Sequence, residues 1–418
     1  MTKQISLVLA GALLTAACEL KVTNPGPVNA DFLDNKSALP AIVNGAGRDL
    51  ADALNWTLYT SAAAAREIWP AGSTGSFGIS VNTQNGRLTE DESGDYWDRT
   101  QRARWTAEHG AARLKEVLGS ADYAKSTQAA QILVWSGFAN RMLGENMCTG
   151  VIDGGAAEDS KVYFTRAEAN FTEAMTVASA AGNATLVSAA QAGRASVRLN
   201  LNNLTGAVAD AGAIANTFTY KMPYYTNEQA QYNRIYFANA NQPYRAYTQK
   251  WTWVEGYRAA TKDPRVAYDS SATLTQGDGA VGGQPDGSSG KVRWYFQTKY
   301  ATQNANVNLV SGWEMRLIEA ESKLIGNDVA GAVAIINTRR AALNVPLVTA
   351  ATSADAWTAL KRERAIELWL EARRLGDLRR WKAASRPGSY DTREDLANRD
   401  LCFPISLQEK QSNTNLKP

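Results

Sequence analysis

The octapeptide FTEAMTVA at residues 171–178 recurs 33 residues later as LTGAVADA at 204–211, with Ala174 and Ala207 in register. That offset is close to the period of tetratricopeptide helix pairs. A second register lays RLNLNNLTGAVA (198–209) on KLIGNDVAGAVA (323–334), so that Leu199, Gly206 and Ala207 fall on Leu324, Gly331 and Ala332. Small residues at recurring positions let paired helices approach closely, and stacked pairs then share a core that no single pair could form. The pattern predicts helix-turn-helix units over 126–214 and 313–382, an all-α fold with little β structure.

The remaining segments fit around those units. Residues 38–55 and 97–118 carry apolar side chains at three- and four-residue spacing, the second with Trp97, Trp105 and Leu114. Between them AGSTGSFGISVNTQNGRLTEDESGD (71–95) is rich in Gly, Ser and Asn and reads as a long loop, the kind that is often functional. Residues 216–312 are dense in Tyr and Trp and include the flexible run TQGDGAVGGQPDGSSG, so they read as an irregular insertion between helical pairs. A hydrophobic content of 44% with 20% charged residues suits a globular chain, and a net charge of +3 with interleaved signs leaves no basic tract for nucleic acid.

The first residues, MTKQISLVLAGALLTAAC, combine Lys3 with an apolar run over 5–14 that is too short to span a bilayer, which is a secretory signal. Small residues directly before Cys18 look like the lipobox of bacterial lipoproteins, although Thr15 stands where Leu is usual; the alternative is an ordinary signal peptide with an incidental Cys. A diacylated Cys18 would anchor the chain to a membrane, because two acyl chains hold where one does not. The expected organisation is a signal peptide over 1–17, a tether over 18–37 and a single domain over 38–418. Cys148 and Cys402 are either a disulfide, as an even remainder in an exported chain suggests, or two buried thiols.

The segment KRERAIELWLEARRLGDLRRW (361–381) spaces Glu363, Glu367 and Glu371 four residues apart, which would put three carboxylates on one helix face. A pair of carboxyls can hydrolyse glycosides, but the surrounding arginines would lower their pKa values, the wrong direction for a general acid. The expected role is structural: Ile366, Trp369, Leu370, Leu375 and Leu378 face the core while Glu–Arg pairs fix a neighbouring segment. His109 is the only histidine, so a His-ligated metal site is excluded by count and a triad would depend on this one residue. No phosphate loop or calcium loop is present, and the reading is a non-enzyme with no metal and no cofactor. What remains is aromatics in loops, whose faces can stack on sugar rings. Trp69 and Trp97 flank the long loop, and Trp251 and Trp253 would share one face of a strand, so these four are the candidate ligand contacts, each weighed against ordinary core packing.

Several landmarks together resemble the SusD/RagB family of outer-membrane lipoproteins: NPGPVNADFLDNKSALPAIVNGA at the start, KDPRV at 262–266, EMRLIEAESKLIGNDVAGAVAIINTRRAA, the 361–381 segment and CFPISLQEKQSN near the end. Two departures are Ser406 in place of a second Pro and Ala372 where Gly is common. The resemblance implies tetratricopeptide-like pairs with a loop-rich aromatic insertion, on a lipid-anchored protein at the cell exterior. It also implies a TonB-dependent outer-membrane transporter as partner, to which an oligosaccharide or another nutrient is delivered without being cleaved. Alternatives on the same sequence are a peptide captor of this architecture and a secreted helical-repeat scaffold for protein partners.

Overall fold

The computed structural model describes residues 33–70, 80–237, 245–275, 293–391, 393 and 398–417. The signal segment, Cys18 and the tether up to residue 32 lie outside the described residues, as do 71–79 of the long loop and 276–292 of the Gly-rich run.

Both repeat registers correspond to one local device. Asn202 and Asn327 each turn the chain with a left-handed backbone, at φ 60° and 63°. The next residue, Asn203 or Asp328, then caps the following helix by accepting from the backbone N–H of Gly206 or Gly331. A Cβ on Gly331 would meet the Asp328 carboxylate at 2.3 Å, and one on Gly206 the Asn203 side chain at 2.9 Å, so each glycine lets the capping side chain lie close over the helix start. Past the cap, Ala207 and Ala332 are both fully buried. Identical cap chemistry thus starts two helices that are more than a hundred residues apart.

The helices run in order: α1 (Leu39–Ala64), a short α2 (Val81–Gln84), α3 (Gly94–Tyr123), α4 (Thr127–Asn146), α5 (Lys161–Ala180), α6 (Ala184–Asn200) and α7 (Leu204–Gly212). After the insertion, which holds α8 (Trp253–Thr261), come α9 (Gly312–Ile325), α10 (Val329–Ala342), α11 (Ser353–Glu367), α12 (Arg374–Ala383) and α13 (Leu407–Ser412). From α3 to α7 each helix packs on the next, α7 packs directly on α9, and the stack continues through α10 to α11. The fold is mostly helical with little strand, as the repeats imply. Among the described residues the strands form antiparallel pairs: β1 (Trp69–Pro70) with β5 (Tyr247–Thr248), β2 (Thr149–Gly150) with β3 (Glu158–Asp159), β4 (Thr219–Met222) with β8 (Val307–Ser311), and β6 (Tyr268–Thr275) with β7 (Arg293–Gln297).

The three evenly spaced acids do not share one continuous helix. α11 stops at Glu367, Leu370 and Ala372 take left-handed φ values of 57° and 59°, and α12 begins at Arg374. The expected core face survives this break, with Ile366, Trp369, Leu370, Leu375 and Leu378 all buried. Each acid finds cations from other elements: Glu363 pairs with Arg265 and Arg340, Glu367 with Arg265 and Arg339, and Glu371 with Lys299, while Asn308 also donates to Glu371. Glu371 departs from the sequence expectation, because burial pushes its carboxyl up and Lys299 offsets this only in part. Arg265 belongs to KDPRV in the insertion, so two family-like landmarks meet in space. At the far end, Cys148 and Cys402 form a disulfide across 254 residues, with Phe403 N–H donating to the Asn146 carbonyl at 2.7 Å beside it.

Arg265 holds Asp263, Glu363 and Glu367 while almost wholly buried, with 7% of its side chain exposed. Arg265→Ala removes the cation paired with Asp263 and leaves Glu363 and Glu367 with only Arg340 and Arg339, and is expected to cost about 3–5 kcal/mol of stability, read from urea denaturation. A loss under about 1 kcal/mol would show that the cluster relaxes around the missing charge.

Candidate functional site

The residues of α1 at 44, 47, 48, 51 and 52 recur at helical spacing and form one polar face, Asn44, Gly47, Arg48, Ala51 and Asp52, which walls a cleft of about 560 Å³. Opposite stand Arg99 and Arg102 of α3, one turn apart, and the segment after β4 that carries Tyr224, Tyr225, Asn227 and Gln231. Trp135 of α4 lines it too, packed so close to α1 that a Cβ on Gly47 would sit 3.1 Å from its Nε1. The glycine is what lets the indole reach this position.

The charges of the cleft are paired. Asp52 accepts from Arg99 and, at 3.0 Å, from Arg102, whose Nε is 3.5 Å from Asp49. Arg48 bonds Glu228 at 2.8 Å across the rim, a hydrogen bond that lowers the Glu228 carboxyl and raises the Arg48 guanidinium. Tyr224 is fully buried and donates to the Ala51 carbonyl at 3.1 Å; burial, then the Asp52 charge, raises its hydroxyl. Its neighbour Tyr225 is 53% exposed, one of the few large aromatics presented to solvent. Both carboxylates here, Asp52 in the cleft and Glu228 at its rim, are bound to guanidinium groups. The arrangement offers an aromatic face ringed by fixed donors and acceptors, which is suited to holding a polyhydroxylated ligand. Among the described residues no group of three or more His, Cys, Asp or Glu could hold a metal ion.

The tryptophans expected from the sequence lie elsewhere. Trp97 is 1% exposed and packs in a core cluster with Tyr96, Leu143 and Phe403. Trp253 is buried in the main core and opens α8, and Trp251 sits in a turn at φ 66°, so the two do not alternate along a strand. Trp69 and Trp251 contact each other edge to face with centroids 6.3 Å apart, both buried, with the Arg66 guanidinium 3.7 Å from the Trp69 ring centroid. None of the four presents an open face to a sugar, and the correction is burial by neighbours that are distant in sequence. Cys18 is outside the described residues. Tyr225 was one of many aromatics in a rich segment, and only its neighbours Asn227 and Gln231 could have singled it out. Trp105, assigned to the apolar stripe of α3 with Trp97 and Leu114, is instead 49% exposed.

Comparison with known proteins gives a consistent picture. The model of the SusD family matches residues 214–400, from the end of α7 past α12. No curated protein matches the chain in sequence. A SusD superfamily protein from Bacteroides vulgatus ATCC 8482 is 16% identical, with 92% of this chain and 98% of that one covered and a TM-score of 0.62. A SusD-like carbohydrate binding protein from the same organism is 14% identical over 83% of each chain, with a TM-score of 0.59. A laminarin binding SusD-like protein is 16% identical, covers 91% of this chain and 98% of its own, and has a TM-score of 0.54. At such identities these structures speak for the fold.

Trp97→Ala should empty a large volume in the core and cost about 3–5 kcal/mol in a urea melt. A variant as stable as the parent would place Trp97 at the surface after all.

Proposed function

Because the chain belongs to the SusD/RagB family, we propose that it captures a glycan in the cleft between α1, α3 and the segment after β4. The observation that carries this reading is the exposed Tyr225 facing a ring of paired Arg and Asp groups, with solved relatives described as carbohydrate and laminarin binding in support. The protein binds without cleaving, since the carboxylates of the cleft are held by arginine. It is anchored through Cys18 and faces the cell exterior, and its partner is a TonB-dependent transporter to which the glycan is passed. The lipobox-like N-terminus supports the anchor, and no described helix is long and apolar enough to cross a membrane.

Calorimetric titration of the purified protein with plant, algal and microbial glycans should reveal binding without turnover. Tyr225→Ala should weaken it by on the order of 1–3 kcal/mol, the range for stacking on a planar aromatic face. Binding of peptides with no binding of any glycan would overturn the assignment of ligand class.

Replacing Cys18 by Ser should move the protein from the membrane pellet to the soluble fraction. Retention in the pellet would mean that something other than the acylated Cys holds it there.

A further inference from the structure

We infer that a second cavity, on the other flank of α3, is a further sugar subsite, reached across Arg102 and selective for an uncharged ring. The inference rests on the glycan reading above. This cavity measures about 300 Å³ and is lined by Gln101, Arg102, Arg104, Trp105, Asp153 and Glu409. Its size is at the small end of ligand pockets, enough for a terminal portion of a chain and not for a whole polymer.

Trp105 supplies the stacking surface. It is half exposed, and His109, one turn further along α3, lies parallel to it with centroids 4.0 Å apart and planes 25° from parallel. The His109 Nδ1 is 3.0 Å from the Trp105 carbonyl oxygen, which fixes the imidazole against the indole. A backed indole loses little rotamer freedom when a ring settles on it, so this is a preorganised platform.

The polar groups define the kind of ring. Arg104 is committed to Glu108 at 2.8 Å and to Asp153 Oδ1 at 2.7 Å, and Arg102 to Asp49 and Asp52. Glu409 uses Oε1 to accept from Asn413 at 3.0 Å. Asp153 Oδ2 and Glu409 Oε2 therefore remain as acceptors among the described residues, and both can take hydroxyl protons. A uronate or sulfated sugar would meet these carboxylates with like charge, whereas a neutral ring offers the donors they lack.

Arg102 also lines the first cleft. Trp105 follows it by three residues, a rise of about 4.5 Å along the helix. A bound oligosaccharide that leaves the Tyr225 cleft over Arg102 thus arrives at Trp105, and the two sites act on one chain as linked sites do.

The test uses the full-length protein in detergent and fragments of laminarin, starch, mannan and galactan, as disaccharides and as octasaccharides, with C6-carboxylated octasaccharides as the charged probe. For whichever glycan binds, the octasaccharide should bind about tenfold tighter than the disaccharide, and Trp105→Ala should abolish that difference while leaving disaccharide affinity unchanged. Trp105→Phe should restore most of it, and carboxylation should weaken octasaccharide binding about tenfold. If Tyr225→Ala weakens binding but Trp105→Ala alters neither fragment, the second subsite is overturned and the first stands. Tighter binding of the carboxylated probe would overturn the selectivity for an uncharged ring. If no fragment of any of the four glycans binds, both readings fail.

Discussion

The guanidinium of Arg373 is the point on which the helical stack closes. Lying just before α12, it reaches Glu145 of α4 at 2.9 Å, Glu314 of α9 at 2.8 Å and Ser196 of α6 at 3.3 Å. Charges taken out of water cost several kcal/mol each, and they persist only where geometry pairs them well. Burial alone would raise the Glu314 carboxyl, but Arg373 and Arg141 outweigh it and hold it low. The same contest is resolved the same way at Asp377, where Arg364 and Arg380 overcome burial and hold the carboxyl down to about 2. Such pairs add little net stability over well-packed apolar residues; what they impose is that the helices meet in one register, because any slip would strand a buried charge.

The break between α11 and α12 delivers Arg373 to that place. With Leu370 and Ala372 left-handed, the chain leaves the axis of α11 and exposes backbone groups that a continuous helix would have satisfied. Those groups are taken up by the insertion and by Glu67, just past the end of α1. Lys299 donates to the Trp369 carbonyl at 2.5 Å, the Tyr300 hydroxyl to the Leu370 carbonyl at 2.8 Å, and the Leu370 N–H donates to Glu67 at 3.2 Å. One turn thereby fastens the insertion, the first helix and the repeat stack together. The disulfide and the Phe403 backbone bonds then tie the chain's end to α4, which already carries Glu145.

What could be read in the sequence was local and periodic. The repeat at 198–209 and 323–334 was legible because a left-handed Asn, a capping Asn or Asp and a Gly three residues later are all set by neighbours in the chain. The structural role of Glu363 and Glu367 was legible from the charge-rich segment, but the arginines that pair with them, Arg265, Arg339 and Arg340, come from other elements and were not. The break at 368–373 was hidden, since Leu370 and Ala372 are not residues that announce a left-handed turn. The tryptophans were misassigned for a similar reason: loop composition around Trp97 says nothing of Tyr96, Leu143 and Phe403 arriving from three parts of the chain to bury it. The cleft itself gathers residues from near 44–52, 99–102 and 223–231, and no one-dimensional spacing joins them.

Frame and binding surface also differ in how freely they tolerate change. At the cleft rim, the Arg48–Glu228 pair leaves 56% and 48% of its side chains exposed, and pairs of this kind contribute about 1 kcal/mol at most. Replacing them alters what the cleft presents while the fold barely registers the loss. Arg373, Glu314 and Asp377 are nearly or wholly buried, and losing one partner of such a set costs several times more. What the cleft presents can therefore change through rim residues on an unchanged stack, which is consistent with the fold persisting at 16% and 14% identity among structures it resembles.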